Sequence, residues 1–196
     1  RQLILKKVPV LFLDWKRNAR EILPHVSKNV RVNTPGRSLL PFPFNPFLAP
    51  PGVESHIYIQ HVVDVLADTY TLGDGSRRLV QKAITAVFDR EKRAPEVTEL
   101  ISEIESMPEP QGQRAVRGWK ATATRALEEL SFAQLSGGSV EQQKRFTREL
   151  IQGVSIVELD GLSQSSRRFL VPLLFSWVYQ VRLADSKREE LSLVIV

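Results

Sequence analysis

Two aspartates follow apolar segments in the same way, which makes them the first candidates for chemistry in this chain. Asp14 ends the run Val8–Asp14 (VPVLFLD), and Asp160 ends the run Val154–Asp160 (VSIVELD). Both runs are typical of strands that are buried on two faces, as in a parallel sheet. Because ligands of such sheets bind beyond the carboxyl ends of the strands, we expect both side chains at the edge where a nucleotide or phosphate group would lie.

Each aspartate also has a structural interpretation, as the cap of the helix that follows its strand. Asp160 has a rival for that role in Ser163, and Asp14 has one in Asn18, whose spacing to Glu21 resembles a capping box. The sequence therefore leaves the nucleotide role and the capping role open for both aspartates.

Basic residues cluster in three places where they could contact phosphate. A solvated helix face is the usual explanation for such runs, and it is preferred for the second cluster, which lies along a predicted helix. The third cluster opens the last predicted helix, where cations oppose the helix dipole and so hint at an external anion. The clusters are Lys16, Arg17 and Arg20; then Arg114, Arg117, Lys120 and Arg125; then Arg167 and Arg168. The candidates for nucleic-acid contact are Arg114, Arg117, Lys120, Arg167 and Arg168.

Complete catalytic motifs are absent from the sequence. It contains no Gly-x-x-x-x-Gly-Lys-Ser/Thr loop, no dinucleotide-binding fingerprint and no Gly-x-Ser-x-Gly nucleophile elbow. The lack of cysteine excludes disulfides and thiolate metal sites. The histidines, His25, His56 and His61, are too few and too poorly spaced to predict a metal site. We therefore expect no complete catalytic site, bound cofactor or metal in this chain alone.

Composition is that of an ordinary folded protein. The 196 residues suffice for one sizeable core, or for a core with an inserted subdomain. The net charge of +5 is compatible with phosphate contacts but does not require them. The longest apolar stretch, Phe169–Val181, is interrupted by Pro172, Ser176 and Gln180 and is too short to span a bilayer. Because no signal peptide opens the sequence, the cytoplasm is the expected compartment.

The apolar pattern changes twice along the chain and predicts three parts. Strand, helix and strand segments with a proline- and phenylalanine-rich loop occupy residues 1–52, helices alone occupy 53–150, and the alternation returns in 151–196. Strands separated by crossover helices imply parallel pairing and a three-layer α/β sandwich. We predict such a core with 53–150 as an inserted all-α subdomain, and with VPVLFLD, VSIVELD and LSLVIV as parallel neighbours in one sheet.

Glycines and capping residues set the predicted helix bounds. Gly73 and Gly75 break the first long helix, and Ser76 is predicted to cap the next. Pro95 is predicted in the first turn of its helix. The predicted helices cover residues 18–23, 53–72, 77–91, 96–107, 113–135, 140–150 and 163–183.

Both ends of the chain are expected to lie inside a larger domain. The segment Leu191–Val196 (LSLVIV) has the pattern of a strand buried on both faces, and natural chains rarely stop within such a strand. At the other end, Arg1–Lys7 is predicted as the last turns of a helix that leads directly into the first strand. The expectation is a piece of a longer protein.

The order of these pieces resembles the HerA/FtsK branch of P-loop ATPases over nearly the whole chain. In that branch the helix after the P-loop runs into a strand that ends in Asp-x-Lys, matched here by Asp14 and Lys16 in FLDWKRNAREIL. A Pro-Phe-x-Phe-Asn-Pro loop is matched by Pro41–Pro46, and part of the helical insertion by Gly118–Leu130 (GWKATATRALEEL). A strand like VSIVELDGLS, a long helix and a strand like LSLVIV follow. No single motif is specific, and the resemblance depends on their order.

The resemblance implies a RecA-like P-loop core, with the P-loop before Arg1 and the Walker B acids after Val196. Asp14 and Lys16 would border the nucleotide, beside Asp160, but the phosphate-binding lysine and the magnesium-binding acids are absent from this chain. The parent would be an ATP- and Mg²⁺-dependent motor that translocates double-stranded DNA as a homo-oligomeric ring, expected to be a hexamer. A nuclease is a candidate partner and a membrane is not. This chain alone would be inactive.

Two other functions stay open on the sequence. A conjugation- or secretion-type ATPase of the same superfamily would show nearly the same pattern. A non-enzymatic helical interaction module, with the α/β flanks as scaffold, belongs to another class. The flanking reading frame separates these classes, because a Gly-Lys-Ser/Thr loop upstream and an acidic pair downstream would indicate the motor.

Overall fold

The computed structural model describes residues 8–25, 30–39, 42–109, 114–135, 139–184 and 193–196. The predicted helix at 1–7 and the first residues of the predicted strand 191–196 lie outside this set. The strands are β1 (Val10–Asp14), β2 (Val30–Asn33), β3 (Val154–Glu158) and β4 (Val194–Ile195). A 3-10 helix covers Asn18–His25, and the α-helices are α1 (Ser55–Tyr70), α2 (Asp74–Glu91), α3 (Val97–Ser106), α4 (Arg114–Phe132), α5 (Val140–Leu150) and α6 (Gln164–Ala184).

The strands form one parallel sheet in the order β2-β3-β1-β4. In the centre, β1 runs beside β3 with Val10 opposite Val154 and Asp14 opposite Glu158. The backbone N–H of Leu159 then donates to the carbonyl of Asp14 at 2.8 Å and carries the pairing past the end of β3. The predictions of an α/β fold and of parallel pairing are confirmed: VPVLFLD lies between VSIVELD and the strand that the structure describes in LSLVIV, Val194–Ile195.

The chain divides into two compact units. The sheet unit comprises Arg1–Phe44, Ala133–Arg167 and Asp185–Val196, and the helical unit comprises Asn45–Phe132 and Arg168–Ala184. These units reflect proximity in space, whereas the predicted ranges 1–52, 53–150 and 151–196 followed the alternation of strands and helices. Those ranges therefore stay a prediction.

The sheet unit is held together by apolar strands and by aromatic packing. Leu11, Ile156 and Val157 are fully buried, and each such side chain contributes about 1.5–3 kcal/mol relative to an exposed position. Phe42 of the proline-rich loop packs edge-on against Phe146 of α5, with ring centroids 5.0 Å apart. Phe42 and Phe44 of this loop are both buried, and aromatic pairs of this kind are stabilised by the area they bury and by their geometry.

The helical unit contains α1 to α4 and most of α6. Its core side chains, such as Val80, Ile84, Leu100 and Leu127, recur at helical spacing and are fully buried. Within the described ranges, residues 53–150 are helical and contribute no strand, as predicted. The helices begin and end within three residues of the predicted bounds.

Two predicted helix starts are wrong in detail. Ser76 does not cap α2, because the helix begins at Asp74 after an extended Gly73, and an acidic first residue suits the positive end of the helix dipole. The hydroxyl of Ser76 instead donates to the carbonyl of Trp119 at 3.0 Å. Pro95 lies before the first turn of α3, since Glu96 forms a reciprocal capping box with Glu99.

The last helix, α6, is 21 residues long and contains Pro172. Its start is capped by Ser163, whose hydroxyl oxygen accepts the backbone N–H of Ser166 at 3.0 Å. This confirms the predicted alternative in which Ser163, and not Asp160, caps the helix. In the part of the chain that the structure describes, no helix is both long and apolar enough to cross a membrane.

Candidate functional site

Asp14 ends β1 and caps the 3-10 helix that follows. Its buried carboxylate accepts three backbone N–H groups: Oδ1 from Lys16 at 3.0 Å and Asn18 at 3.3 Å, and Oδ2 from Ala19 at 2.8 Å. A carboxylate is a favourable acceptor at this end of a helix, where N–H groups lack backbone partners. The capping alternative is therefore present in the structure, and the rival cap Asn18 is itself a donor to Asp14. The nucleotide role of Asp14 stays a prediction.

Glu158 ends β3 directly beside Asp14 and is fully buried. Two N–H groups of Arg20 donate to this carboxylate, Nε to Oε1 and Nη2 to Oε2, the second at 2.9 Å. Arg17 Nε lies 3.9 Å from Oε2. Burying a carboxylate without such partners would cost several kcal/mol of desolvation free energy. Leaving even one buried hydrogen-bonding group unsatisfied costs about 1–3 kcal/mol. The hydrogen bond from Arg20 to Glu158 also raises the pKa of Arg20.

Asp160 lies two residues beyond β3 and receives two arginines on one oxygen. Arg17 Nη2 and Arg37 Nη2 each lie 2.6 Å from Oδ2. The other oxygen, Oδ1, is buried and accepts no hydrogen bond from the described residues. The hydrogen bond from Arg17 lowers the pKa of Asp160 below its usual value, and the nearby charges of Arg17 and Arg37 act in the same direction.

Three loops converge to make this arrangement, those after β1, β2 and β3. Gly36 has φ of 80°, and a Cβ there would lie 2.8 Å from the carbonyl oxygen of Gly161, so the second and third loops touch backbone to backbone. Arg17, in the first loop, has φ of 60°, which costs a non-glycine residue about 1–3 kcal/mol. We call Arg17, Arg20, Arg37, Glu158 and Asp160 together the edge cluster.

Lys16 and Arg167 also belong to the sheet unit. The side chain of Lys16 is exposed, while its backbone N–H donates to Asp14. The guanidinium of Arg167 lies 5.7 Å from the ring centroid of Trp15, and its Nε donates to the carbonyl of Ser163 at 3.3 Å. These contacts offset the unfavourable place of a cation at a helix start, so Arg167 does not require an external anion. Arg168, in the helical unit, is exposed.

The basic cluster on α4 is divided between exposed and structural positions. Arg114 and Arg117 are exposed, whereas the Lys120 side chain is only 11% exposed. Its ammonium donates to the carbonyls of Glu105 at 3.0 Å and Met107 at 2.7 Å, which closes the end of α3. Lys120 therefore has a structural role whether or not nucleic acid binds there.

Acidic side chains accompany the α4 cluster. Glu109 lies 3.5 Å from both Arg117 Nε and Lys120 Nζ. A surface depression combines the three bases Arg117, Lys120 and Arg125 with the three acids Glu105, Glu109 and Glu128. A balanced surface of this kind attracts phosphate less than the basic residues alone would. The role of Arg114, Arg117 and Lys120 in DNA binding stays a prediction.

Two members of the edge cluster were not singled out from the sequence. Glu158 carried a usable signal, because a charged residue inside the apolar run VSIVELD requires a buried partner. Arg37 carried none, since it is one polar residue in an irregular loop. Only the approach of that loop to Gly161 brings it to Asp160.

Mg²⁺, which the resemblance implies for the parent, does not fit the carboxylates of this edge. Both oxygens of Asp14 accept backbone N–H groups, and Asp160 has only Oδ1 without a donor among the described residues. In the same part of the chain, no three His, Asp or Glu side chains are grouped to hold a metal ion. The guanidinium groups of Arg17 and Arg37 do suit the phosphates of ATP.

Comparison with known proteins leaves the family open. No family model matches the sequence, and no curated protein matches it. The resemblance to HerA/FtsK ATPases is therefore still carried by the order of its motifs alone. ATP hydrolysis, DNA binding and ring formation are accordingly treated as proposals.

Proposed function

We propose that this chain is the central part of an ATP-driven, DNA-translocating motor of the HerA/FtsK type. Its core would be RecA-like and three-layered, with 53–150 as an inserted all-α subdomain. The observation that carries the proposal is the convergence of charged side chains from three loops at the carboxyl edge of a parallel sheet. Nucleotides and phosphate groups bind at this edge in open parallel α/β sheets.

The charges at this edge suit phosphoryl chemistry. Arg17, Arg20, Arg37 and Lys16 supply four cations, against three carboxylates from Asp14, Glu158 and Asp160. Phosphoryl transfer depends mainly on positioning and on neutralising the charge of the transferred group. The edge cluster would contribute to both in the proposed motor, in which the phosphate-binding lysine and the magnesium-binding acids would come from outside these 196 residues. Double-stranded DNA, a homo-hexameric ring and a nuclease partner belong to the same proposal.

The reading frame that encodes this chain provides the first test. The proposal expects a Gly-Lys-Ser/Thr loop shortly upstream of Arg1 and an acidic pair shortly downstream of Val196. The second test is ATP hydrolysis by the protein containing both motifs, measured with and without duplex DNA. A folded protein with both motifs and no DNA-stimulated hydrolysis would contradict a DNA motor. Hydrolysis without DNA stimulation would instead favour the conjugation- or secretion-type ATPase.

A helical interaction module is the second candidate, and one observation favours it. Phe175, Tyr179 and Leu183 on α6 are 46%, 62% and 42% exposed and recur every four residues. Exposed large apolar side chains on one helix face are typical of surfaces that bind another protein. A reading frame that lacks both nucleotide-binding motifs would support this candidate over the motor.

A further inference from the structure

Two arginines of the edge cluster meet a single carboxylate oxygen, and Arg17 Nε has no hydrogen-bond partner among the described residues. Arg17 and Arg37 both direct Nη2 to the same oxygen of Asp160, each at 2.6 Å. From this geometry we infer that Arg17 and Arg37 form a binding site for a phosphate group. In the free protein, the carboxylate of Asp160 occupies that site.

The neighbouring pair shows what a complete structural ion pair looks like in this protein. Arg20 meets Glu158 through two N–H groups and both carboxylate oxygens, which is the strong bidentate arrangement. Asp160, in contrast, has two guanidinium groups crowded on Oδ2 and no donor from the described residues on Oδ1. Each carboxylate oxygen of Glu158 therefore accepts one N–H group of Arg20. In Asp160, one oxygen receives two N–H groups and the other receives none from the described residues.

Unused donors remain on the arginine side of the second pair. A guanidinium has five N–H groups, and the contacts of Asp160 use one from each arginine. Arg17 Nε is buried and has no hydrogen-bond partner within the described ranges. The Arg17 and Arg37 side chains are 38% and 41% exposed, so an anion from solvent can reach them. The site is thus accessible, and its three arginines, Arg17, Arg20 and Arg37, outnumber its two carboxylates, Glu158 and Asp160.

Phosphate is the ligand class that fits this donor set best. Its oxygens are arranged tetrahedrally, so two guanidinium groups can donate to different oxygens, which the single shared oxygen of Asp160 does not permit. A terminal phosphate also carries up to two negative charges near neutral pH, against one for a carboxylate. The site lies at the sheet edge where phosphate ligands bind. The ligand is therefore a terminal phosphate, free or on a nucleotide.

This inference deepens the proposed function, on which the assignment to a nucleotide rests. Binding of inorganic phosphate by the 196-residue chain can be measured without any ATPase activity. A protein without ATPase activity would contradict the motor proposal but would not affect the phosphate measurement. A chain that does not bind phosphate would contradict this inference but would not decide whether the protein is a motor.

The test is calorimetric titration of inorganic phosphate into the wild-type chain, Asp160→Asn and Asp160→Asn/Arg37→Gln, at constant ionic strength. Removing the competing carboxylate should tighten phosphate binding about tenfold, because Arg17 and Arg37 then no longer share the charge of Asp160, while Glu158 stays paired with Arg20. Adding Arg37→Gln should abolish that gain. If Asp160 serves only as a structural tie, Asp160→Asn will leave phosphate affinity unchanged, and the inference is overturned.

Arg145→Gln is the matched control. Arg145 also belongs to the sheet unit and also pairs with one carboxylate, Glu149 at 2.8 Å, but it lies on α5 outside the edge cluster. Introduced into Asp160→Asn, this change should leave the tightened phosphate binding in place. A loss as large as that in Asp160→Asn/Arg37→Gln would show that general charge, and not the cluster, attracts the anion.

A second measurement covers the case in which Asp160→Asn does not fold. Phosphate should raise the melting temperature of the wild-type chain and fail to raise that of Arg37→Gln, which keeps the Arg17–Asp160 contact. Equal shifts in both proteins would overturn the inference.

The source of the phosphate is distinguished by competition. ATP should compete with inorganic phosphate for Asp160→Asn, whereas a blunt duplex lacking terminal phosphates should not. Displacement of phosphate by that duplex, lost in Arg37→Gln, would assign the arginines to a nucleic-acid backbone and overturn the choice of a terminal phosphate.

Discussion

The three carboxylates at the sheet edge differ in the donors that each one receives. Asp14 accepts only backbone N–H groups, Glu158 accepts a bidentate arginine, and Asp160 shares one oxygen between two arginines. Their roles follow from these partners: Asp14 shapes the loop after β1, Glu158 anchors the 3-10 helix, and Asp160 joins three loops. Substitutions that remove one charge at a time separate these roles.

Asparagine is ordinarily as good a cap as aspartate, but Asp14→Asn should destabilise this chain by about 1–3 kcal/mol, because both carboxylate oxygens accept backbone N–H groups and one would be replaced by a donor. Asparagine keeps one acceptor oxygen, but its amide group would face a backbone N–H that Asp14 now accepts. Urea unfolding of the variant measures this loss, with Asn18→Ala, which removes only the rival cap, as the control within about 0.5 kcal/mol of wild type. Equal stability of Asp14→Asn and wild type would show that the cap needs only one of the two carboxylate oxygens.

The nucleotide role of Asp14 has a separate readout. In the proposed motor protein, Asp14→Asn should reduce ATP turnover at least tenfold, or about 1.4 kcal/mol of transition-state stabilisation, if this residue helps arrange the nucleotide. Turnover is measured on a variant shown to be folded at the assay temperature. Wild-type turnover would leave Asp14 with its capping role alone.

The ion pairs of Asp160 should make stability depend on pH in a defined direction. Because the pKa of Asp160 is lowered in the folded state, the unfolded chain binds its proton first as the pH falls. Its contribution is present near pH 7 and should be lost progressively below about pH 4. Urea unfolding of wild type and Asp160→Asn across this range isolates the effect, since other carboxylates are common to both. A pH-independent difference would contradict it.

Among the elements, α2 and α4 show how one glycine and one lysine can determine local packing. The indole of Trp119 on α4 lies against Gly75 in the first turn of α2, where a Cβ would collide with the ring. Lys120, the next residue, closes α3 through two carbonyl contacts. Both features tie α4 to its neighbours in the helical unit.

Gly75→Ala should destabilise the chain by about 1–3 kcal/mol, although alanine is the better helix former. The matched control is Gly118→Ala on α4, where a Cβ meets nothing within 4 Å, so this change should stabilise by about 0.4–1 kcal/mol. Thermal or urea unfolding of the two variants should show changes in the free energy of unfolding that have opposite signs. A stabilising Gly75→Ala would show that the indole moves aside freely.

The DNA prediction for α4 is best tested without touching Lys120, because its loss would also damage α3. Arg114→Gln/Arg117→Gln in the proposed motor protein should weaken duplex DNA binding regardless of sequence. It should also make the salt slope shallower, by about 0.9 for each lost phosphate contact. Fluorescence anisotropy at several salt concentrations measures the slope. An unchanged salt slope would indicate that both arginines lie on a solvated helix face and do not contact DNA phosphates.

At the level of the whole molecule, the two groups of candidate residues fall into different compact units. The edge cluster lies in the sheet unit, and Arg114, Arg117 and Lys120 lie in the helical unit. The proposed motor would accordingly use the sheet for nucleotide and the helical insertion for DNA. This division assigns each proposed activity to a part of the chain that can be altered separately.

The isolated chain should bind ATP no more tightly than about 1 mM, because it has no glycine-rich loop or phosphate-binding lysine. Two arginines shared with a carboxylate do not replace that cradle. Calorimetry at high protein concentration provides the measurement. A micromolar dissociation constant would show that a further nucleotide-binding surface exists in this chain.

The sequence alone determined the elements and their parallel pairing. Apolar runs such as VPVLFLD can be buried only inside a sheet covered on both faces, and the helices between them are long enough for crossovers. Helical periodicity likewise predicted the helices of 53–150 to within three residues. These features depend on local periodicity, which a sequence records directly.

The partners at the sheet edge were decided only by the tertiary structure. Arg37 and Asp160 are 123 residues apart in the chain, and they meet because β2 pairs with β3 and because two glycine backbones touch. The same strand order places Glu158 beside Asp14 and within reach of Arg20. Charge pairing across a sheet edge depends on strand order and loop conformation, and neither is encoded in the type or spacing of the charged residues themselves.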